Sequence, residues 1–462
     1  MPVERPTNSG GAGMGYASGG KMTCRKAMDR VLAGIALSVF RIDFLCLGCV
    51  LPAAGIVLQI LGVRALRREN KWFKACFAVT ALMAAGFFAS MVMNATVIRI
   101  SGAVLPAAAA NVLLEAAAAF CLWRGLIEAR VKASLPPGAR AAAALAVWQA
   151  AVYLPVVFAR AWIPALAAVL VGAVFVFRDL HRLSAELDSA GYVLLPAAGP
   201  SDRGVVIAIT SALALACTCG RVFGGSYDMR WSPVPCPGTA SAEAAAELIE
   251  LGFPDYVLND LSPADLAACA GADRVITETG GAVSRSAQEP MFTAVAVHLP
   301  DARGTWMVIH HFLWTGSPDF FGTEAVELRS VCDALPQVWE SAGTVSGRVL
   351  YDRDGQTFAA PYYSIGERSY ISDGLFGEQE ETGVFAEFSM PVGGENHRGY
   401  LAYAAFALKE SCAMSSVVNY THQGGFLQYP AVTAAEYAME NGFAGGESFH
   451  TSQDIFSFYL PS

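Results

Sequence analysis

Charge is what this sequence has least of. Only 15% of its 462 residues are Asp, Glu, Lys or Arg, against 54% hydrophobic, a balance too apolar for a water-soluble protein of this length. Part of the chain is therefore expected in lipid. Lysine all but disappears after residue 222, where Lys409 stands alone. No Gly-x-Ser-x-Gly elbow, His-Glu-x-x-His pair or Gly-x-x-x-x-Gly-Lys-Ser/Thr run occurs, so covalent hydrolysis, zinc hydrolysis and phosphate-loop chemistry lack their usual signatures. Cys236, Cys269, Cys332 and Cys412 are scattered through the second half without C-x-x-C spacing, which argues against a zinc ribbon or a thioredoxin-like site. Disulfides among them stay open if that half faces an oxidising space.

The charge that is present is divided. Residues 1–222 hold 21 Lys/Arg against 10 Asp/Glu, net +11, and residues 223–462 hold 10 against 30, net −20, which gives the overall −9. A domain of net −20 repels nucleic acid and anionic headgroups, so no nucleic acid is expected as a partner, whereas neutral ligands, cations and basic proteins fit. Its length, 240 residues, suffices for a core of its own without metal.

Six apolar runs of spanning length fill the first half: Phe44–Val63, Trp72–Val92, Val104–Trp123, Ala142–Phe158, Trp162–Phe177 and Val205–Cys219. Their connectors differ in charge. Arg64, Arg67, Arg68, Lys71 and Lys74 follow the first run, Arg124, Arg130, Lys132 and Arg140 the third, and Arg178, Arg182 and Arg203 the fifth, while the alternate connectors hold only Arg99 and Arg160. That asymmetry places the rich loops in the cytoplasm and sends the acidic half outside. A multi-pass cell-membrane protein with an extracytoplasmic C-terminal domain is expected, with membrane lipid around its helices. Lys21, Arg25, Lys26 and Arg30 disagree, because six spans put them outside as well. The stretch Val31–Arg41, apolar but followed closely by Asp43, then reads as an interfacial amphipathic helix or a re-entrant piece that returns the N-terminus inside.

Within the runs, Glu115 falls near mid-bilayer, where an ionised carboxylate is costly and faces inward. Gln149 sits at similar depth in the next run and is expected to hydrogen-bond to it. The two read either as a polar clamp between helices or as the cation site of a small transporter or channel. Ala107–Ala110, Ala116–Ala119 and Ala141–Ala144 supply small-residue surfaces for close helix packing.

After a Gly/Pro-rich tether, Ser241 caps an expected helix at 242–251, and further short helices follow Gly252. They read as a helical collar between membrane and outer domain. From Thr293 the texture turns to strands. Three hairpins are expected in series, 293–299 with 305–314, 345–351 with 357–363, and 384–390 with 400–408; strands at 415–420 and 455–460 make about eight. A helix near 432–441 packs on one end.

Histidine does not point to a metal. His310 and His311 are consecutive in a strand, so they face opposite ways, and His298 is out of register with either. Asp352-Arg353-Asp354-Gly355 lacks the third carboxylate and the downstream Glu of a calcium loop, and is read as a tight Asp-Gly turn. Glu378, Glu380 and Glu381 are read as a solvated loop. Aromatics near Gly-rich turns, Phe320, Phe321, Tyr362, Tyr363, Tyr370, Phe376, Tyr420, Phe426 and Tyr429, either fill the core or line a ligand surface. Tyr362, Tyr363, Tyr370 and Phe376 are the binding candidates.

The reading divides the chain into a disordered basic tail (1–30), a polytopic α-helical bundle of about six spans (31–222), a linker with the collar (223–275), and an acidic, mainly β extracytoplasmic domain of sandwich or jelly-roll type (276–462). The expected function is ligand or partner binding, of a protein, peptide or glycan, as a sensor or accessory subunit without catalysis and without a cofactor. The alternatives are a transporter using Glu115 and a membrane-anchored hydrolase of envelope polymers built on the loop carboxylates.

Overall fold

The computed structural model describes residues 22–39, 47–99, 104–152, 162–195, 199–235, 239–280, 289–301, 303–316, 318–330, 339–374, 377–407, 412–426, 428–441 and 448–460. Phe376, Arg160 and the end of the Ala142–Phe158 run lie outside these. The chain divides into two compact units, residues 1–91 with 100–214, and residues 92–99 with 215–462.

The first unit is helical: α1 (Cys24–Val39), α2 (Leu47–Leu66), α3 (Lys71–Met93), α4 (Val104–Lys132), α5 (Arg140–Val152), α6 (Trp162–Ser189) and most of α7 (Asp202–Gly224). Runs rich in Ala and Leu favour helix, and in an apolar medium a helix satisfies its own backbone. Among the described residues four helices are long and apolar enough to cross a membrane: Gly48–Leu66, Lys71–Met93, Pro106–Lys132 and Asp202–Gly224, with mean hydropathy from 1.4 to 2.0. Of the six expected runs, the fifth forms the first part of α6, which continues into a charged half carrying Arg178, Asp179, Arg182 and Glu186.

The basic N-terminal residues find their place through α1. Residues 31–39 of the stretch read as interfacial or re-entrant are the second half of a 16-residue helix, and residues 24–30, read as disordered tail, form its first half. The backbone N–H groups of Cys24 and Arg25 donate to the two carboxylate oxygens of Asp188 at 2.9 and 3.2 Å. An acid from α6 thus caps a helix N-terminus, where unsatisfied donors favour negative charge. Arg30 pairs with Asp202 at 2.6 Å, and Arg64 approaches the same carboxylate at 3.6 Å. Glu69 accepts from Tyr192 Oη and the Leu195 N–H, the Lys132 ammonium donates to the Glu69 carbonyl, and Arg130 meets Glu186 at 2.8 Å. The three basic connectors and the start of α1 therefore meet at one end of the unit.

α1 and α2 pack at glycines. A Cβ on Gly55 would lie 2.6 Å from the Gly34 carbonyl oxygen and 2.6 Å from Ser38 Oγ. The helices touch through their backbones, and Gln59 Nε2 donates to Ser38 Oγ at 3.0 Å beside the contact. On α6, Leu180, Leu183 and Leu187 form a buried stripe at helical spacing, in one core with Met28, Val31 and Leu32 of α1.

The second unit carries two antiparallel sheets. With β1 (Ser232–Pro233), β2 (Arg274–Thr279), β3 (Pro290–Leu299), β4 (Thr305–Trp314), β5 (Glu324–Ser330), β6 (Trp339–Arg353), β7 (Gln356–Pro361), β8 (Ser364–Gly374), β9 (Gly377–Phe388), β10 (Glu395–Ala407), β11 (Cys412–Gln423) and β12 (Phe449–Leu460), the orders are β1-β7-β6-β10-β4-β3-β2 and β12-β11-β5-β9-β8. Helices α8 (Thr239–Glu250), α9 (Asp255–Leu258), α10 (Pro263–Ala268) and α11 (Ala434–Asn441) complete it.

Strand alternation builds four layers. On β3, Phe292, Ala294 and Ala296 enter the core between the sheets with Phe388, Tyr420 and Phe456, while Val295 and Val297 meet Leu248, Phe253 and Val257 of the collar. On the far side Ala434, Ala435 and Ala438 of α11 cover Ala325 and Phe385. The collar is thus one outer layer of the sandwich, not a spacer, and α11 covers a sheet face rather than an end.

Two expected hairpins form in register: Leu299 pairs Thr305, and Arg353 pairs Gln356 across Asp354 and Gly355, whose φ of 52° and 74° make the Asp-Gly turn. The third does not. β9 pairs β5 and β8, whereas β10 pairs β4 and β6, so residues 389–394 cross between sheets. Pro391 offers no N–H for a ladder, and Gly393 and Gly394, at φ 83° and 105°, redirect the chain.

Candidate functional site

Among the described residues ionisable side chains gather in several buried places in the sandwich, one on each face of the seven-stranded sheet and another around Glu327 on the outer face of the five-stranded one. On the collar face the centre is Asp260, in the turn after α9. His311 Nε2 lies 2.9 Å from its Oδ2, Arg398 Nε donates to both carboxylate oxygens at 2.8 and 2.9 Å, and Arg348 Nε donates to its carbonyl at 2.8 Å. Arg398 continues to Asp352 at 3.0 Å, which also accepts from Thr357 and Asn396. Burial alone would raise the Asp352 carboxyl, but these donors and the guanidinium hold it below its usual value. Burial likewise disfavours charge on Arg398, yet its two carboxylates raise it. Close by, Ser262 caps α10 by accepting from the Asp265 N–H, and Asp265 accepts from Ser346 Oγ and from the Tyr400 hydroxyl.

An Asp–His pair is the base of a nucleophilic relay only when the second ring nitrogen reaches a hydroxyl or thiol. His311 Nδ1 is buried and has no hydrogen-bond partner among the described residues. The cluster holds the collar to the sheet, and its charges are consumed in doing so.

Between the sheets sit three more histidines. His310, stacked on Tyr403, reaches Ser416 Oγ at 3.2 Å through Nε2, and burial pushes its pKa down to about 3. His422 Nδ1 lies 3.0 Å from both oxygens of fully buried Glu324, flanked by the rings of Trp314 and Phe320. Burial lowers His422, but Glu324, with Asp319 adding, raises it overall. His397 is buried against Phe320, its ring nitrogens near the carbonyls of Pro391 and Gly393 without hydrogen-bond geometry, and burial lowers it. As expected, His310 and His311 face opposite ways. Among the described residues no three His, Cys, Asp or Glu side chains group to hold a metal.

The residues singled out in the sequence do not form one site. Asn111 Nδ2 donates to Glu115 Oε1 at 2.9 Å, one turn earlier on α4. Gln149 lines a cavity of about 20 Å³ with Gln59, Thr80 and Cys76, room for one water, and Glu115 is not among the lining residues. Gln149 Oε1 is buried and has no hydrogen-bond partner among the described residues. Tyr362 is core, its hydroxyl donating to the Tyr400 carbonyl at 2.9 Å. Tyr370 is half-buried, donating to Glu327 and Glu381. Tyr363 is exposed and stacks on Tyr227 at 4.2 Å. Asp354 makes a turn, and Glu380 and Glu381 lie on strand β9 rather than in a loop, Glu381 paired with Arg329.

What remains open is a sheet edge. β12 is closed against the other sheet, with the Ser457 N–H donating to Glu278 Oε2 at 2.9 Å. At the opposite edge, terminal strand β8 exposes Ile365 and Ile371, the latter 65% accessible. Residues 364–388 carry Glu367, Asp373, Glu378, Glu380, Glu381 and Glu387 against Arg368 alone. Sequence reasoning missed β8 because Ser-Ile-Gly-Glu-Arg-Ser-Tyr-Ile offers two spaced isoleucines in a polar frame; their spacing of six, an even number, was the available signal.

No family model matches the chain, and no curated protein matches it. Among solved structures, one titled "Pore forming protein" aligns with 40% of this chain and 88% of its own, at 8% identity and a TM-score of 0.16, too low to carry fold or function across.

Proposed function

We propose that the chain is a multi-pass membrane protein whose acidic β-sandwich lies outside the cytoplasm and binds a partner without catalysis, as a sensor or accessory subunit. The meeting of the basic connectors and the start of α1 at one end of the helical unit carries this reading. Under the positive-inside rule that end is cytoplasmic. The connector holding Arg99 belongs to the β unit instead, which supports the opposite side for the sandwich. About six spans accommodate the sequence, with α1 returning the N-terminus inside.

Binding rather than chemistry is favoured because the buried Asp, His and Arg groups are used in joining layers, while β8 is left as an acidic edge with exposed isoleucines. Such an edge fits a cationic extended segment that adds a strand. The test is a screen of the full-length protein for peptide-dependent melting shifts, with Ile371→Lys alongside. A shift produced by cationic peptides and abolished by the variant supports the reading. Turnover of a peptide or glycan contradicts it.

A further inference from the structure

Where α7 ends, the β unit presents aromatic rings around one arginine. Arg221 is buried, yet its Nε donates to the Phe426 carbonyl at 3.0 Å and its Nη2 to the Phe321 carbonyl at 3.4 Å. Its guanidinium lies 5.6 Å from the centre of the Phe426 ring, and the Phe321 and Phe426 rings meet edge to face at 6.3 Å. The Val97 N–H donates to the Gly224 carbonyl at 2.8 Å and the Ala431 N–H to the Asn94 carbonyl at 2.7 Å. Loops from three parts of the chain are therefore fixed to the last turn of one apolar helix.

That arrangement leaves an apolar rim. Phe321 and Phe426 are 38% and 43% exposed, and at the last turn of α7 Phe223 is 85% exposed, with Ile98, 56% exposed, near Gly224. A sandwich with both sheets covered has no internal use for these rings at a loop tip. α7 says what covers them. Its exposed apolar surface runs to Val222 and Phe223, and the rings held by Arg221 share the level of that last turn. Aromatic side chains at the ends of spans settle at the boundary between headgroups and acyl chains.

We propose that Phe321 and Phe426, with Ile98 and Phe223, enter the headgroup boundary of the bilayer that α7 crosses, so that the β domain rests on lipid instead of hanging free on its tether. The inference rests on the reading of α7 as a membrane span. It does not conflict with the domain's net −20, because contact is made by the rings around Arg221 and not by the acidic surface. Zwitterionic lipid suffices.

The experiment uses the full-length protein in phosphatidylcholine vesicles, with a fluorescent amino acid placed in turn at position 321, 426, 82 or 371. Part of the phosphatidylcholine carries a nitroxide high on its acyl chain. Leu82, 59% exposed in α3, reports whether the helices are in lipid, and Ile371 on β8 reports the aqueous background. Quenching at 321 and 426 about threefold or more above that at 371 is expected, without added anionic lipid. Quenching at 82 but only background at 321 and 426 overturns the rim while leaving the span intact. Background at 82 as well overturns both.

Discussion

Arg99 holds Glu436 with both arms of its guanidinium, Nε to Oε1 at 2.9 Å and Nη2 to Oε2 at 3.0 Å. The same carboxylate accepts from the Thr433 N–H at 2.8 Å, while Thr433 Oγ1 accepts from the Glu436 N–H at 3.1 Å. One acid thus closes the capping box of α11 and receives the connector that follows α3. Burial would raise the Glu436 carboxyl, but Arg99 and Thr433 lower it below its usual value.

Removing either partner should therefore have unequal effects. Glu436→Ala loses cap and fork together and is expected to cost about 1–2 kcal/mol, whereas Arg99→Ala, half in solvent, should cost no more than about 1 kcal/mol. A carboxyl with a depressed folded pKa stabilises above its unfolded value and loses that contribution as pH falls through the folded one. Melting curves of the two variants should accordingly converge with wild type in acid.

Asp260→Asn is the severe substitution. It leaves Arg398 buried with Asp352 as its remaining carboxylate and weakens the attachment of the collar, so a loss of about 3 kcal/mol is expected. Replacing Arg398 by Met in the same protein should recover part of it. Denaturant unfolding of full-length single and double variants measures both.

The buried histidines predict opposing pH effects. His310 is depressed to about 3, so below about 6.5 the unfolded chain takes up a proton that the folded one refuses, and stability falls on acidification by up to ~5 kcal/mol. His422 is raised; its contribution is complete below about 6.5 and is lost as pH climbs through the folded value. His310→Phe should flatten the acid side of the melting-temperature profile, and His422→Gln the alkaline side. The reverse assignment would contradict the geometry.

Gly55→Ala tests the contact between α1 and α2. The added methyl meets a backbone carbonyl that cannot rotate away, so a loss of about 1–3 kcal/mol is expected, against little change for Gly86→Ala, whose Cβ would meet nothing within 4 Å. Thermal inactivation in detergent would compare them.

Much of this architecture was legible because it depends on local pattern. The runs at 72–92 and 205–219 needed only continuous apolarity, the 345–363 hairpin only alternation around Asp354-Gly355, and the collar only its helical pattern broken at Gly252, although its first helix starts at Thr239 and takes in Ser241, the expected cap. What stayed hidden depends on partners remote in sequence. β5 carries Glu324 inward and Glu327 outward, each buried by a neighbour about a hundred residues away, so its alternation looks polar on both faces. The 389–394 crossing resembles a hairpin loop because a Gly-Gly pair serves both. The position of α1 turns on Asp188 and Asp202, which sequence alone could not bring to it. Tyr362, a binding candidate, is instead taken into the core by the Tyr400 carbonyl.

The central claim is the side on which the acidic domain lies. Protease added to sealed cells, and separately to inverted vesicles, with antibodies against the C-terminus and against the 178–203 connector, decides it directly. The account predicts that the C-terminal epitope is lost from sealed cells and protected in inverted vesicles, with the connector behaving the opposite way. A C-terminal domain protected in sealed cells and digested in inverted vesicles would contradict it.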